Sequence, residues 1–194
     1  MTELEFWTLL ESTSQDYESS ASLTIHSQAL LKVLNEKTDT ELIEYDSYMR
    51  KFVEELNFYE LWAVAWLIPN EGGSNYCSDD SFEDFRAGII ARGRDVFRRA
   101  TENPDSLAEV KEAQLLKGGE VFLLAAQAIY TDRYGIYTSL EYIPEIVGPG
   151  GMPRGVDWNL EDYPSYFTKR FPKSIAKGDC QSIDGWSGPF AGCK

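Results

Sequence analysis

The chain has 194 residues, of which 43% are hydrophobic and 13% are aromatic. This composition excludes a disordered acidic chain, and the length corresponds to one domain. The formal net charge is −14, from 18 basic and 32 acidic side chains. Residues 1–84 hold 4 basic and 18 acidic side chains, whereas residues 85–194 are balanced. A chain without a basic stripe is unlike nucleic-acid-binding proteins and is not attracted to anionic membranes.

The N-terminal residues and the cysteines both predict a cytoplasmic protein. The N-terminus is acidic where a secretory signal is basic, and no long apolar segment follows it. The longest strongly apolar stretch, residues 61–68, is far shorter than a membrane span. Cys77, Cys180 and Cys193 are an odd number at irregular spacings, unlike a disulfide framework. In an oxidising compartment, Cys180 and Cys193 can still close a small loop.

Four amphipathic or apolar segments predict helices in the first third of the chain. The first covers residues 3–11, with Leu4, Trp7 and Leu10 or Leu9 on one face, and the second covers residues 22–36. Thr38 or Asp39 caps a third helix with an acidic outer face. The buried stripe of this third helix is predicted to comprise Leu42, Tyr45, Met49, Phe52, Val53 and Leu56. The fourth, residues 58–68, is apolar nearly all round, which predicts a central helix that ends at Pro69.

Further helices are predicted in the middle of the chain. Asp80 and Glu83 have the spacing of a capping box, which predicts a helix that continues to about Thr101. Pro104 is typical of a first helical position, and Gly118-Gly119 separates the next segment from an apolar helix over residues 120–134.

The C-terminal region is less regular in its sequence pattern. Residues 136–146 can hold one short strand, residues 148–155 have the composition of a linker, and residues 162–173 predict a short helix. We therefore expect a mainly α protein. Residues 1–147 form a single compact multi-helix domain, and residues 148–194 form a partly irregular arm that packs on it or extends from it.

Several short motifs carry a resemblance to a known family. They are Phe6-Trp7, Leu61-Trp62-Ala63, Cys77 to Phe82, Asp84-Phe85-Arg86, Gly93 to Phe97 and Asn103 to Ala108. Through them the chain resembles, over about residues 1–135, the bacterial family catalogued as domain of unknown function 4240. It departs from the family at Ser74-Asn75-Tyr76 and after Lys173. The resemblance implies a helical cytoplasmic domain, in a family where some members accompany a domain with nucleic-acid associations, and it implies no catalytic residues.

Arg86 is the most unusual residue of the predicted helices. It shares the face of Phe82, Phe85, Ile89 and Gly93, so we expect its guanidinium to point toward the core or a cleft. A buried guanidinium requires a carboxylate or several carbonyls as partners. The favoured partners are Asp79, Glu60 and Asp46, and the alternative is a pocket in which Arg86 binds an anionic ligand. Gly93 is expected to permit close helix contact.

Other chemically active residue types near Arg86 have ordinary structural explanations. Asp79, Asp80 and Asp84 suggest a hard cation or a general acid, but helix capping accounts for at least one and the calcium-loop pattern is absent. Cys77 has a lowered pKa if it reaches a helix N-terminus, although a small buried cysteine is the favoured interpretation.

His26, the only histidine, lies on an apolar helix face. No nucleotide, zinc or hydrolase motif is present, so we expect neither a metal nor a cofactor.

Two functional hypotheses follow, and the oligomeric state stays open. The first is a non-enzymatic module that binds a basic protein through the acidic face of the third helix, for example an immunity- or antitoxin-like inhibitor. Its candidate partner-binding residues are Glu41, Glu44, Asp46, Glu54 and Glu55. The alternative is a small-molecule-binding domain or enzyme with a pocket around Trp62, Cys77, Asp79, Asp80 and Arg86. The absence of a basic stripe argues against nucleic acid as a partner.

Overall fold

The computed structural model describes residues 1–14, 16–69, 77–135, 152–155 and 163–177. Within these ranges the regular structure is helical, which confirms the predicted fold class. The one β-type contact among them is an isolated parallel bridge between Phe58 and Arg154. The possible strand over residues 136–146, most of the linker, and Cys180 and Cys193 lie outside the described residues.

The first three helices follow their predicted positions closely. They are α1 (Glu3–Thr13), α2 (Ser20–Leu34) and α3 (Asp39–Glu55). Thr2 caps α1 and Thr38 caps α3, and in both cases the side chain of the glutamate three residues later reaches back to complete a capping box. All six residues of the stripe predicted for α3 are buried.

One residue of the predicted α1 face is on the wrong side. Leu4 is 68% exposed, whereas the buried residues of this helix include Phe6, Trp7, Leu9 and Leu10. The buried face of α1 is therefore centred between Phe6 and Leu10. Leu4, three residues before Trp7, lies outside this face.

Helix α4 (Tyr59–Leu67) is the central helix that the sequence predicts, with seven of its nine residues buried. An apolar helix without a polar face has to be surrounded by other elements. The first 3-10 helix (Pro104–Glu109) and α5 (Asp79–Ala91) both contact it.

The predicted helix over residues 80–101 is two helices. Helix α5 ends at Ala91, and α6 covers Arg94–Glu102. Gly93 lies between them with a φ of 97°, which only glycine adopts readily. Gly93 therefore redirects the chain between the two helices. It also lies close to α1, as expected, because a Cβ atom at this position would lie 3.3 Å from Cγ of Glu11.

The N-terminal cap of α5 also differs from the prediction. Ser78, rather than Asp80, is the capping residue, and its hydroxyl oxygen accepts a hydrogen bond from the backbone N–H of Ser81 at 3.1 Å. Asp79 and Asp80 lie in the first turn, where negative charge is favourable.

Close backbone contact fixes α5 against the second 3-10 helix (Ala113–Gly118) and against Gly119, which follows it. A Cβ atom built on Gly88 would lie 2.0 Å from the carbonyl oxygen of Leu116, and one built on Gly119 would lie 2.0 Å from that of Asp84. The apolar segment from residue 120 to 134 is divided at Leu124 into α7 (Glu120–Leu123) and α8 (Ala125–Tyr134), and Gly135 ends it as predicted.

The described part of the C-terminal arm packs on the core. The predicted short helix is observed as α9 (Tyr163–Arg170) and α10 (Pro172–Lys177), and Phe167 and Phe171 are buried. Helix α10 contacts the first 3-10 helix and α4. The arm therefore covers one side of the central helix.

Candidate functional site

Arg86 is buried, as its place on the helix face predicts, but its partners are carbonyls. It is 8% exposed, its Nε donates to the carbonyl oxygen of Phe82 at 3.3 Å, and its Nη1 donates to that of Val53 at 3.0 Å. The carbonyl of Val53 belongs to the last turn of α3, where carbonyls lack partners within the helix. Burial lowers the pKa of Arg86 below its usual value. The residue thus caps α3 with a positive charge.

The expected carboxylate partners of Arg86 have other roles, so that prediction is wrong. Glu60 pairs with Arg170 of α9 at 2.7 Å, Asp46 pairs with Arg50 at 2.7 Å, and Asp79 is exposed. The alternative that the sequence left open, carbonyl oxygens, is the arrangement observed.

An aromatic stack extends from Arg86 to the surface of α4. The guanidinium carbon lies 4.6 Å from the centre of the Phe82 ring, and the Phe82 ring is parallel to that of Trp62 at 5.2 Å. Trp62 also stacks on Tyr59 and donates from Nε1 to the carbonyl oxygen of Cys77 at 3.0 Å. The stack connects the beginning of α5 to α4.

Cys77 is a buried thiol, and it is not an activated nucleophile. It is 1% exposed, and burial raises its pKa to about 12. The prediction that a helix N-terminus lowers the pKa of Cys77 is therefore wrong. The prediction that Cys77 is a small buried residue is confirmed. Cys77 and Arg86 are buried whereas Asp79 and Asp80 are exposed, so the residues of the predicted small-molecule site lie in different environments.

The acidic residues of α5 form a like-charged group with α7. Asp84 is half-buried, and its pKa is raised to about 6 by burial and by the nearby charges of Glu120, Glu83 and Asp80. Among the described ranges of the chain, no three histidine, cysteine, aspartate or glutamate side chains are arranged to hold a metal ion.

His26 is part of the core, as predicted. It is fully buried, its Nε2 lies 3.2 Å from the hydroxyl of Thr13, and its Nδ1 contacts the hydroxyl of Tyr17. Burial lowers its pKa to about 4, so the ring is neutral at pH 7. Tyr17 also contacts Arg92, whose guanidinium carbon lies 3.3 Å from the centre of the phenol ring.

Most of the predicted partner-binding acids of α3 already have partners within the chain. Glu41 accepts hydrogen bonds from Thr38 and Lys37, which lower its pKa to about 2. Glu44 pairs with the N-terminal ammonium group, and Asp46 is buried beside Arg50. The face is less firmly paired at its C-terminal end, where Glu54 and Glu55 are partly exposed.

An open groove of about 710 Å³ begins at this end of α3. It lies between α1, the last two turns of α3, and α6. Its floor is aromatic: the Trp7 ring centre lies 4.7 Å from that of Phe52 and 5.3 Å from that of Phe97, and the Phe52 and Phe97 rings meet edge to face at 5.2 Å. Trp7 and Phe52 are buried beneath the groove, and Phe97 is partly exposed.

The rim of the groove is charged, with more acidic than basic groups. The acidic residues are Glu3, Glu11, Glu55, Asp95 and Glu102, and the basic residues are Lys51, Arg94 and Arg98. Lys51 Nζ lies 3.5 Å from Glu3 and 3.8 Å from Glu55, and Arg94 Nη2 lies 3.6 Å from Glu3. These distances exceed the 2.7–2.9 Å of a close charged hydrogen bond, so these three pairs are loose. Arg98, in contrast, pairs closely with Asp95 at 3.0 Å and with Glu102 at 3.1 Å.

Sequence reasoning missed this groove because it is formed by three separate helices. A continuous helix over residues 80–101 would not place Phe97 and Arg98 beside Trp7. The backbone turn at Gly93 does so, and Glu11 of α1 accepts a hydrogen bond from the first backbone N–H of α6 at 3.1 Å. The sequence feature that could have indicated the groove is the unusually polar composition of α6, in which only Ala100 is buried.

The described residues thus form a mainly helical structure with a groove that has an aromatic floor and an acidic rim. Residues 1–132 match the family described as protein of unknown function (DUF4240), and the chain belongs to that family. The expected resemblance is thereby confirmed. No curated protein and no solved structure matches the chain. Of the helices within the described ranges, none is long and apolar enough to cross a bilayer.

Proposed function

We propose that the protein is a non-enzymatic, cytoplasmic module that binds a basic protein through the groove between α1, α3 and α6. An immunity- or antitoxin-like inhibitor is one concrete form of this function. The observation that carries the proposal is the groove itself, because it joins an aromatic floor to a rim with five carboxylates. Phe97, the partly exposed ring of this floor, is an aromatic side chain of the kind that supplies much of the binding energy in protein interfaces, and the surrounding charge selects and steers the partner.

The charge distribution supports a basic partner. The whole excess of negative charge lies in residues 1–84, and this segment contributes α1 and α3 to the groove. Opposite charge on a partner accelerates its capture, which is an advantage for an inhibitor that has to act quickly. Of the five acids predicted from the sequence, Glu55 lines the groove. The proposal therefore places the interface at the C-terminal end of α3 and not along its whole acidic face.

Two buried side chains support the non-enzymatic part of the proposal. Cys77 is a protonated thiol inside the core, and His26 is a neutral imidazole with no exposed surface. A nucleophile and its general base have to reach the substrate, and these two side chains do not.

The experiment that tests this function is affinity capture with a matched pair of variants. The full chain serves as bait in extract of the native host, at about 50 mM and about 200 mM salt, since surface attraction weakens as screening increases. The test bait carries Glu3→Gln and Glu55→Gln. The control bait carries Asp16→Asn and Glu36→Gln, which change the net charge equally at exposed positions away from the groove.

We expect one basic protein to bind the wild type and the control bait, to be lost from the groove variant, and to bind more weakly at the higher salt concentration. The purified partner should reproduce the same order of affinities in solution. Equal capture by the groove variant and the control bait, or binding that ignores ionic strength, would contradict the proposal.

A further inference from the structure

We propose that Lys51 is an internal competitor in the groove, whose ammonium group occupies the place where an arginine side chain of the partner binds. The inference rests on the proposed function and specifies the chemical group that the groove recognises.

The surroundings of Lys51 are those of a cation site. Its Nζ lies 5.0 Å from the centre of the Phe52 ring and 5.9 Å from that of the Tyr48 ring. Glu3 and Glu55 both lie near the same ammonium group, at 3.5 and 3.8 Å. Aromatic faces combined with carboxylates are the groups that attract organic cations in proteins.

Lys51 is held loosely in this site. Both carboxylates are more distant than in a close charged hydrogen bond, and the side chain of Lys51 is 51% exposed. The better-fixed pair on the same helix, Arg50 with Asp46, has a nitrogen to oxygen distance of 2.7 Å. Exposed pairs with long distances contribute little to stability, so an incoming cation displaces Lys51 at low cost.

Arginine fits the site better than lysine does. A guanidinium group is planar, stacks on an aromatic face and binds a carboxylate through two parallel hydrogen bonds. The ammonium group of Lys51 is a compact charge and makes a close contact with neither Glu3 nor Glu55. Beside Phe52, the partly exposed ring of Phe97 offers apolar surface to the neighbouring residues of the partner.

The test measures binding of a fluorescein-labelled, end-blocked hexapeptide that carries two arginines among alanines and leucines. A second peptide has lysines in place of the arginines. Fluorescence anisotropy compares the wild type with Lys51→Met, which keeps the aliphatic stem and removes the charge, and with Lys51→Ala as a second replacement. Lys32→Met is the matched control, because Lys32 is an exposed lysine of α2 outside the groove.

We expect the arginine peptide to bind both Lys51 variants about threefold or more tightly than the wild type, with a smaller gain for the lysine peptide. The control should differ from the wild type by less than about 1.5-fold. Adding Glu3→Gln and Glu55→Gln to Lys51→Met should abolish the gain.

Three outcomes would overturn the inference. An equal gain for Lys51→Met and Lys32→Met would mean that only net charge matters, and an equal gain for both peptides would exclude arginine recognition. In both cases the proposed function survives if the host partner still requires Glu3 and Glu55. If no variant binds either peptide, the inference that Lys51 is an internal competitor is overturned. The capture experiment then tests the proposed function separately.

Discussion

Asp105 caps a helix that begins 67 residues later in the chain. Its Oδ1 accepts hydrogen bonds from the backbone N–H and the hydroxyl of Ser174, both at 2.8 Å, and its Oδ2 accepts from the backbone N–H of Lys173 at 3.0 Å. Asp105 is buried, and Ser174 lies in the first turn of α10. In most helices, a residue next to the first turn accepts hydrogen bonds from the free backbone N–H groups there. In α10 the carboxylate of Asp105 does so instead, and it thereby attaches the C-terminal arm to the core.

Replacing Asp105 with Ala should therefore detach α10 while leaving most of the domain folded. Three hydrogen bonds to a charged group are lost, which corresponds to about 2 to 4 kcal/mol of docking free energy. Hydrogen exchange should show faster exchange across residues 163–177 and little change in α3. Glu109→Gln is the control, because Glu109 is exposed and pairs with Lys173 at the surface. Uniformly faster exchange through the whole chain would show that the arm does not open separately.

Gly88→Ala should destabilise the fold strongly. The new Cβ would lie 2.0 Å from the carbonyl oxygen of Leu116, and the backbone has no easy way to move aside. Overpacking of this kind costs about 1 to 3 kcal/mol or more. Urea denaturation measures the loss.

Gly118→Ala is the matched control for this substitution. Its Cβ would meet the end of the Leu23 side chain, which can rotate away, so a smaller loss is expected. Equal losses for Gly88→Ala and Gly118→Ala would contradict the backbone contact between α5 and the second 3-10 helix.

His26 should make the protein sensitive to acid. Its folded pKa of about 4 lies below the ordinary value of 6.5, so between these values the unfolded state binds a proton that the folded state does not. Stability is then present above pH 6.5 and is lost as the pH falls toward 4, by about 2 kcal/mol at pH 4.5.

The comparison with His26→Gln isolates this contribution, because the carboxylates titrate in both proteins. Urea denaturation at pH 7, 5.5 and 4.5 should show a steeper loss of stability for the wild type than for the variant. Parallel curves would mean that His26 takes up its proton without unfolding.

Arg86→Met should destabilise the protein by about 1 to 3 kcal/mol, since it removes the donor to the carbonyl of Val53 while conserving much of the buried volume. Arg86→Lys should have a smaller effect, because an ammonium group can still reach one carbonyl. Arg98→Met is the comparison: Arg98 is an exposed arginine paired with Asp95 and Glu102, and its loss should cost less than about 1 kcal/mol. If thermal unfolding shows equal losses at both positions, Arg86 does not cap α3.

Local patterns were sufficient to predict the first four helices, but they did not predict the division of the later segments or the contacts between helices. The stripe from Leu42 to Leu56 determines the buried face of α3, and the threonine and glutamate of its capping box fix its start. The carbonyl partners of Arg86 depend on where the end of α3 lies relative to α5, which periodicity does not encode. The groove depends on the turn at Gly93, and glycine is also compatible with the close helix packing that the sequence suggested.

The end of α3 shows that the family match and the folded unit have different boundaries. The match stops at residue 132, yet Arg154 donates to the carbonyl oxygens of Glu54 and Glu55, in the same final turn that Arg86 caps from within the match. Glu55 is also a rim residue of the groove. A protein shortened to the matched residues would keep every side chain of the groove and lose one of the two arginines that hold its edge in place, so recognition studies require the longer chain.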